Sequence, residues 1–493
     1  MNAVFSVFHL NIFVPWILSM VIGILVGATP GLTATMAVAL IVPLTYYMEP
    51  LTGLAMILGV SFTSIFAGDI PATFLRIPGT PASGAAVLDG FELSKKGKGS
   101  LALTIDLICS ALGGLIGVIL LIIVAPPLAK VALKFSNFQY FWLGIFGLSM
   151  SAVLGRGNIV HGLISAVLGL LVSTAGIDIT TGFPRFTFGN VELMGGIGFI
   201  PAMIGLFGIS EVLKNVRNKE SLMERTLHDK VKISLVESFL IVWKKKWTLF
   251  KSAIIGTCVG ALPGAGADIA AWVAYGVSKK TSKNSEVFGT GSIDGVIAPT
   301  SANNAALGGT WIPALVFGVP GDSITAIVLG AMLMYGLRPG PLIFQQSPDL
   351  IKGLFSIAII SQFFLVIVGL LGIKSYSIIL KLPRNVVMVG VIIFSVIGSY
   401  AIRNSFFDIY VMLFFGIVGY VFEILKIPLA PMILGIILGP MIEDNLRVGL
   451  IKTGGNYIPF ITNPISAVLA ILIILTFFSG PIVKFFKFVF KKR

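Results

Sequence analysis

Apolar residues in this chain come in long unbroken blocks, not in the one-sided or alternating patterns of a soluble fold. Residues 101–125, 138–154, 197–213, 353–373, 386–397 and 465–478 are such blocks. Some need flanking residues to reach the roughly 20 positions that carry an α-helix across a bilayer. None alternates polar with apolar positions, as a transmembrane barrel strand does. The pattern predicts an all-α polytopic membrane protein with about 12 transmembrane helices plus re-entrant or broken segments too short to cross straight.

The interruptions of the apolar pattern are themselves ordered. Gly23-Ile-Leu-Val-Gly-Ala-Thr-Pro-Gly31 recurs as Gly256-Thr-Cys-Val-Gly-Ala-Leu-Pro-Gly264. Pro71, Ile77, Pro78 and Gly79 find partners in Pro313, Val319, Pro320 and Gly321 at one spacing, and Arg156, Gly157 and Gly169 resemble Arg403, Asn404 and Gly416. A single match between apolar helices means little, but three in the same order indicate two related halves. The expected organisation is a first membrane repeat over 1–214, a basic amphipathic linker over 215–251, and a second membrane repeat over 252–493.

Charge placement then sets an orientation. The formal net charge is +14. Ten Lys or Arg against four acids lie between Lys214 and Lys251, and the last thirteen residues hold Lys484, Lys487, Lys491, Lys492 and Arg493 with no acid. The positive-inside rule places the linker and the C-terminus in the cytoplasm and the N-terminus outside. The halves then enter the bilayer from opposite sides, as inverted repeats of secondary transporters do. Lys95, Lys96 and Lys98, and Lys279, Lys280 and Lys283, all fit inside under that arrangement. The basic runs come with no base-reading module, so nucleic acid is not the expected partner; anionic lipid heads are. The first apolar stretch reads as a span, not a cleaved signal. Cys109 and Cys258 lie in apolar runs and read as small buried hydrophobes without a disulfide or metal framework.

Chemistry belongs at the breaks. Proline removes a backbone donor, glycine admits left-handed angles, and freed backbone is tolerated at membrane depth only inside protein or along a wet cavity. Pro30-Gly31, Pro78-Gly79, Pro263-Gly264 and Pro320-Gly321 mark four such points. Helix-capping types follow them: Thr33 and Thr35, Thr80 and Ser83, Asp268, and Asp322, Ser323 and Thr325. Helix N-termini suit a carboxylate, while freed carbonyls and hydroxyls suit a small cation. Asn303 and Asn304, set among small residues from Ala298 to Ala306, fit a substrate or ion site, or else an interhelical contact or an Asn-rich turn. Arg76 lies near Asp69 and Asp89 and is the side chain best suited to a ligand carboxylate, unless it forms an interfacial ion pair. Asp106, Asp178, Glu192, Glu211, Asp408, Glu423 and Glu443 are proton-relay candidates or helix-end charges, and His161 reads as interfacial. No metal spacing, nucleophile–base pair or phosphate loop appears, so neither an enzyme nor an ATP-driven pump is expected.

These residues carry a resemblance. Ile77-Pro-Gly-Thr-Pro-Ala-Ser83 with Leu88-Asp-Gly-Phe91, the stretch Phe288 to Pro299 with Asn303-Asn-Ala305, Gly318-Val-Pro-Gly321 and Gly336-Leu-Arg-Pro-Gly-Pro341, and Ile397 through Asp408 to Glu443 are similar to blocks of the TctA family. That family comprises large membrane subunits of tripartite tricarboxylate transporters. Two positions depart from its pattern: Thr300 and Ser301 stand where an acid is usual, and Asp69 follows Gly68 where Ser is usual. The resemblance implies a cation-coupled (Na⁺ or H⁺) importer of small carboxylates such as citrate, in the cell membrane. It also implies a small four-span membrane subunit and an extracytoplasmic solute-binding protein as partners. A passive carboxylate or anion channel without a binding protein is the competing expectation. A membrane enzyme lacks an acid–base constellation, and an assembly subunit does not explain repeated polar breaks.

Overall fold

The computed structural model describes residues 7–29, 32–154, 158–178, 180–217, 234–379 and 384–490, and among these the chain is almost entirely helical. Pro30 and Gly31, Arg156 and Gly157, and 218–233 of the expected linker lie outside the described residues. Helices α1 (Leu10–Gly27) and α2 (Ala34–Thr45) flank the first break. α3 (Pro50–Ala67) turns at Gly68 into the short α4 (Asp69–Leu75), and α5 (Ser83–Lys95) follows the second break. α6 (Gly99–Ala132), α7 (Asn137–Leu154) and α8 (Ile159–Ser173) lead to a loop in which Gly176–Ile177 pairs antiparallel with Pro184–Arg185. α9 (Phe199–Met203), a π-helical stretch Ile204–Ile209 and α10 (Ser210–Arg217) come next. Beyond the linker run α11 (Leu235–Lys244), α12 (Lys246–Gly260), α13 (Gly266–Thr281), α14 (Ile293–Phe317), α15 (Ser323–Met334), the single turn α16 (Ile343–Gln346) and α17 (Pro348–Ile379). α18 (Arg384–Arg403), α19 (Phe406–Ile424), α20 (Ala430–Lys452), α21 (Ile458–Thr462) and α22 (Pro464–Phe490) complete the order.

The chain is an all-α polytopic membrane protein. Five stretches among the described residues are long and apolar enough to cross a membrane: Leu10–Gly27, Pro50–Leu75, Gly99–Ala132, Pro348–Tyr376 and Phe406–Ile424. Five further apolar helices are shorter. α14 shows why hydropathy alone misses some helices. It has 25 residues, about 37 Å at the usual rise, and carries Thr300, Ser301, Asn303, Asn304 and Thr310. It is buried almost throughout by neighbouring helices, so it needs no apolar face toward lipid.

Glycines set how close those neighbours come. In lipid no hydrophobic force joins helices, so association rests on close backbone packing through small residues. A Cβ added to Gly23 or Gly27 of α1 would stand 3.1 Å from the Val60 Cα or 2.9 Å from the Ser64 Cα of α3. On α12 the same two motif positions, Gly256 and Gly260, would stand 2.7 Å from the Ala302 Cα and 2.9 Å from the Ala306 Cα of α14. Gly113 and Gly117 of α6 meet the opposite flank of α14, each 2.8 Å from the Cα of Ser301 or Ala305 by the same measure. Order and length run in parallel too: α6, with 34 residues, follows α5 directly, and α17, with 32, follows α15 after the single turn α16.

The structure decides three points that the sequence raised. Asn303 and Asn304 lie mid-helix in α14, which removes the alternative of an Asn-rich turn, because small neighbours let the polar helix continue inside protein. Cys109 is buried, but Cys258 is exposed, because it lies off the glycine face of α12 that packs on α14. Asp89 does not pair with Arg76. It is buried and accepts the Gly289, Gly291 and Ser292 backbone N–H groups at 2.9, 2.8 and 2.6 Å and the Tyr275 hydroxyl at 2.9 Å. It fastens α5 to the turn that opens α14.

Candidate functional site

The second break of each half is built in the same way. α4 ends at Arg76 and α14 at Gly318, both left-handed with φ of 63° and 68°. The next N–H turns back in each: Ile77 donates to the Pro71 carbonyl at 3.4 Å and Val319 to the Pro313 carbonyl at 3.3 Å. The glycine that follows sits against backbone. A Cβ on Gly79 would stand 2.7 Å from the Gly27 carbonyl oxygen, and one on Gly321 2.7 Å from that of Gly260. An oxygen-bearing side chain then accepts an N–H at the start of the following helix, as a cap on α15 but not on α5. Thr80 Oγ1 accepts from the Ser83 N–H at 3.2 Å and shares a 2.7 Å hydrogen bond with Ser83 Oγ. Asp322 Oδ1 accepts from the Thr325 N–H at 2.8 Å and from Thr325 Oγ1 at 2.7 Å.

The first breaks bring in two more helix ends. Thr33 caps α2 by accepting from the Met36 N–H at 3.2 Å. Gly264 and Gly266 both take positive φ, 80° and 58°, and the Gly264 N–H donates to the Gly321 carbonyl at 2.8 Å. That bond ties the two breaks of the second half together.

The N-terminal ends of α2, α5, α13 and α15 meet around one cavity of about 440 Å³. Of the residues expected from sequence, it is lined by Thr33, Thr35, Thr80, Gly264, Asp268, Asp322 and Ser323. The two ends from the first half carry neutral hydroxyls, and the two from the second carry Asp268 and Asp322. Sequence reasoning gave Lys426 no role and took Glu211 and Glu423 only as helix-end charges or proton relays, yet all three share this wall. Their charges are balanced by a lysine from α10: Lys214 Nζ lies 3.3 Å from Glu211 and 2.8 Å from Glu423.

The other expected residues stand elsewhere. Pro263, Pro320 and Gly321 are buried and Gly79 is tucked against α1 and Gly68, so they shape the backbone behind the helix ends. Pro78 is exposed. Arg76 is exposed as well, 5.6 Å above the Phe91 ring, because the left-handed end of α4 turns it outward from the cavity. Ser83 lies directly behind Thr80, fully buried. Asn303 and Asn304 are buried in α14, and neither amide has a hydrogen-bond partner. Asp69, noted from sequence as a neighbour of Arg76 and as a departure from the usual Ser, is buried beside Ser83 and Asn303. A carboxylate directly after an 18-residue apolar helix was the available signal.

Of the remaining acids, Asp408 is paired with Arg403. Asp178, in the loop after α8, is joined with Arg185, Arg447 and Glu443 in one ion-pair group. The Thr181 backbone N–H, then that of Thr180 and the Arg447 guanidinium, hold the Asp178 carboxyl down at about 2.

Comparison with known proteins agrees with the architecture. The family model described as "Tripartite tricarboxylate transporter TctA family" matches residues 13–434. An uncharacterized 52.8 kDa protein from the TAR-I ttuC' 3' region of Agrobacterium vitis is 35% identical over 446 residues, covering 90% of this chain and 88% of that protein. An uncharacterized protein from the TAR-II ttuC' 3' region of the same organism is 39% identical over 212 residues, 43% of this chain and 88% of that protein. No solved structure matches the chain.

Proposed function

The chain belongs to the tripartite tricarboxylate transporter TctA family, whose members are components of a tripartite transporter, and from that membership we propose that it imports small di- or tricarboxylates of citrate-like charge by cation-coupled alternating access. The observation that carries this reading is the convergence of four helix N-termini, two from each half, on one cavity. Each such end offers free N–H groups and a partial positive charge, worth about 0.3–1 kcal/mol toward an anion and more when partly buried. Thr33, Thr35 and Thr80 add donors without negative charge, so the first-half ends take the ligand's carboxylates. Asp268 and Asp322 then face the ligand's hydroxyls or a positive charge. This division is the physical content of an asymmetric site in a repeated frame.

The construction supports alternating access. The cavity wall is shared between elements of the two halves, so a shift of one half against the other opens it to one side or the other. The glycine seams between α1 and α3 and between α12 and α14 support treating each as a packed unit. The implied partners are a small four-span subunit and an extracytoplasmic solute-binding protein that delivers ligand at the cell membrane.

Uptake into proteoliposomes tests the proposal. The chain is reconstituted with its small subunit, a binding protein is supplied, and a panel of labelled carboxylates is offered under imposed Na⁺ or pH gradients. A di- or tricarboxylate should accumulate only with a gradient and a binding protein. Thr80→Val should raise the half-saturation concentration about tenfold, the loss of one hydrogen bond to a charged group. Flux indifferent to both gradient and binding protein would instead establish a passive channel.

A further inference from the structure

The cavity wall leaves unexplained a costly group in the protein interior. Asp69 opens α4 at the end of a long apolar stretch, is fully buried, and neither of its carboxylate oxygens has a hydrogen-bond partner. A charge at this depth costs at least about 2.5 kcal/mol and is retained only with compensation. Two neutral side chains reach toward it, Ser83 from the start of α5 and Asn303 from the middle of α14. Asn303 is itself buried, with both amide atoms unpartnered. Asp106 of α6, also buried, stands close enough to repel the Asp69 charge, and Ser110 is its hydrogen-bond donor at 3.3 Å.

Both Asp69 oxygens, and both the oxygen and the nitrogen of the Asn303 amide, are without a hydrogen-bond partner. With that amide oxygen turned toward Asp69, a small hard cation draws on carboxylate, amide and hydroxyl oxygens at once, the donor set such ions take. We infer that Asp69, Asn303 and Ser83 hold one Na⁺, with Asp106 adding negative charge behind it. As the coupling ion it rests on the transport reading above. The link to the cavity is short, since Ser83 Oγ is hydrogen-bonded at 2.7 Å to Thr80 Oγ1, which lines the wall. The repeat provides no second copy: the position matching Asp69 under the Pro71–Pro313 correspondence is Trp311, 3% exposed. One ion per chain is therefore the expected stoichiometry.

Equilibrium binding of radioactive Na⁺ to the purified full-length chain tests the site without transport. Wild type should bind one Na⁺ saturably. Asp69→Asn, nearly isosteric but neutral, should weaken binding at least tenfold, and Asn303→Ala severalfold. Asp349→Asn, at an 89% exposed side chain, should change nothing. If Asp69→Asn elutes as aggregate, Asn303→Ala and Ser83→Ala carry the same test. Wild-type Na⁺ affinity in folded Asp69→Asn overturns the proposal, as does a wild type that binds no Na⁺ and is driven by a pH gradient alone. The two readings fail separately. Na⁺ bound through Asp69 with no carboxylate moved would sink the transport reading and keep the site. Na⁺-driven uptake untouched by Asp69→Asn would do the reverse.

Discussion

Gly260→Ala places a methyl group where α12 and α14 are in backbone contact. The added Cβ would stand 2.3 Å from the Ala306 carbonyl oxygen and 2.9 Å from the Ala306 Cα, against an optimum of about 3.5–4.0 Å between carbons. The helices must therefore part by at least roughly 0.6–1.1 Å, and a gap of that size forfeits about a quarter to a half of each dispersion contact along the seam. Overpacking of this kind costs about 1–3 kcal/mol. Gly260 is the last residue of α12, where replacing glycine returns little helix propensity, so the net loss stays about 1–3 kcal/mol. Gly27→Ala meets the Ser64 Cα of α3 at the same 2.9 Å and should cost the same. Gly276, exposed on α13, has nothing within 4 Å of an added Cβ, so Gly276→Ala should stabilise. Thermal denaturation of the purified proteins in one detergent reads all three. Equal shifts for Gly260→Ala and Gly276→Ala would refute the claim that these seams are set by backbone contact.

The other predictions test single groups. Asp89→Ala removes the acceptor of three backbone N–H groups and one phenol, leaves the Ser292 N–H and the Tyr275 hydroxyl buried, and should cost about 3 kcal/mol in the same denaturation assay. Arg76→Gly exchanges a left-handed non-glycine strain of about 1–2 kcal/mol for the loss of one cation–π contact of about 0.5–1 kcal/mol. It should leave the melting temperature unchanged or raised and the half-saturation for carboxylate within about twofold, whereas Thr80→Val raises it. Asp178 has a folded pKa of about 2, below the unfolded value of about 3.9, so its contribution is complete above about pH 4 and fades as pH falls toward 2. Hydrogen exchange in the loop between α8 and α9 should accordingly be constant in protection from pH 7 to 5 and lose protection only below about pH 4, while Asp178→Asn should lose it at neutral pH.

What was legible in the sequence followed from one-dimensional physics. Apolar block length gave the membrane class. Pro-Gly spacing located the second breaks of both halves and the Pro263-Gly264 break, and the hydroxyl and Asp types after the breaks foretold the caps at Thr33 and Asp322. What escaped was direction. A chain can state that Arg76 is three residues from Gly79, but not that the left-handed end of α4 turns it outward while Asp69, at the other end of that seven-residue helix, is turned inward. Helical phase over less than two turns separates the two outcomes, and no hydrophobic period resolves so short an element. Lys214 and Lys426 escaped for a different reason: the pairs they make and the wall they join depend on helices far apart in sequence.

The same contrast explains why the two halves share a frame without sharing chemistry. The positions that match between them, Gly27 with Gly260 and Gly79 with Gly321, are fixed by backbone approach that no side chain can enter, so the repeat constrains them on both sides. The positions that do not match, Thr80 with Asp322 and Asp69 with Trp311, lie where a side chain fills space behind or beside a helix end. Backbone seams demand one residue type, while the volumes between them accept several. A repeated frame therefore holds its helix ends in register while one half presents hydroxyls to the cavity and the other presents Asp268 and Asp322. The ion proposed at Asp69 follows that logic. It adds one positive charge behind the Thr80 end, where the ligand's negative charge is expected and Asp268 and Asp322 are not.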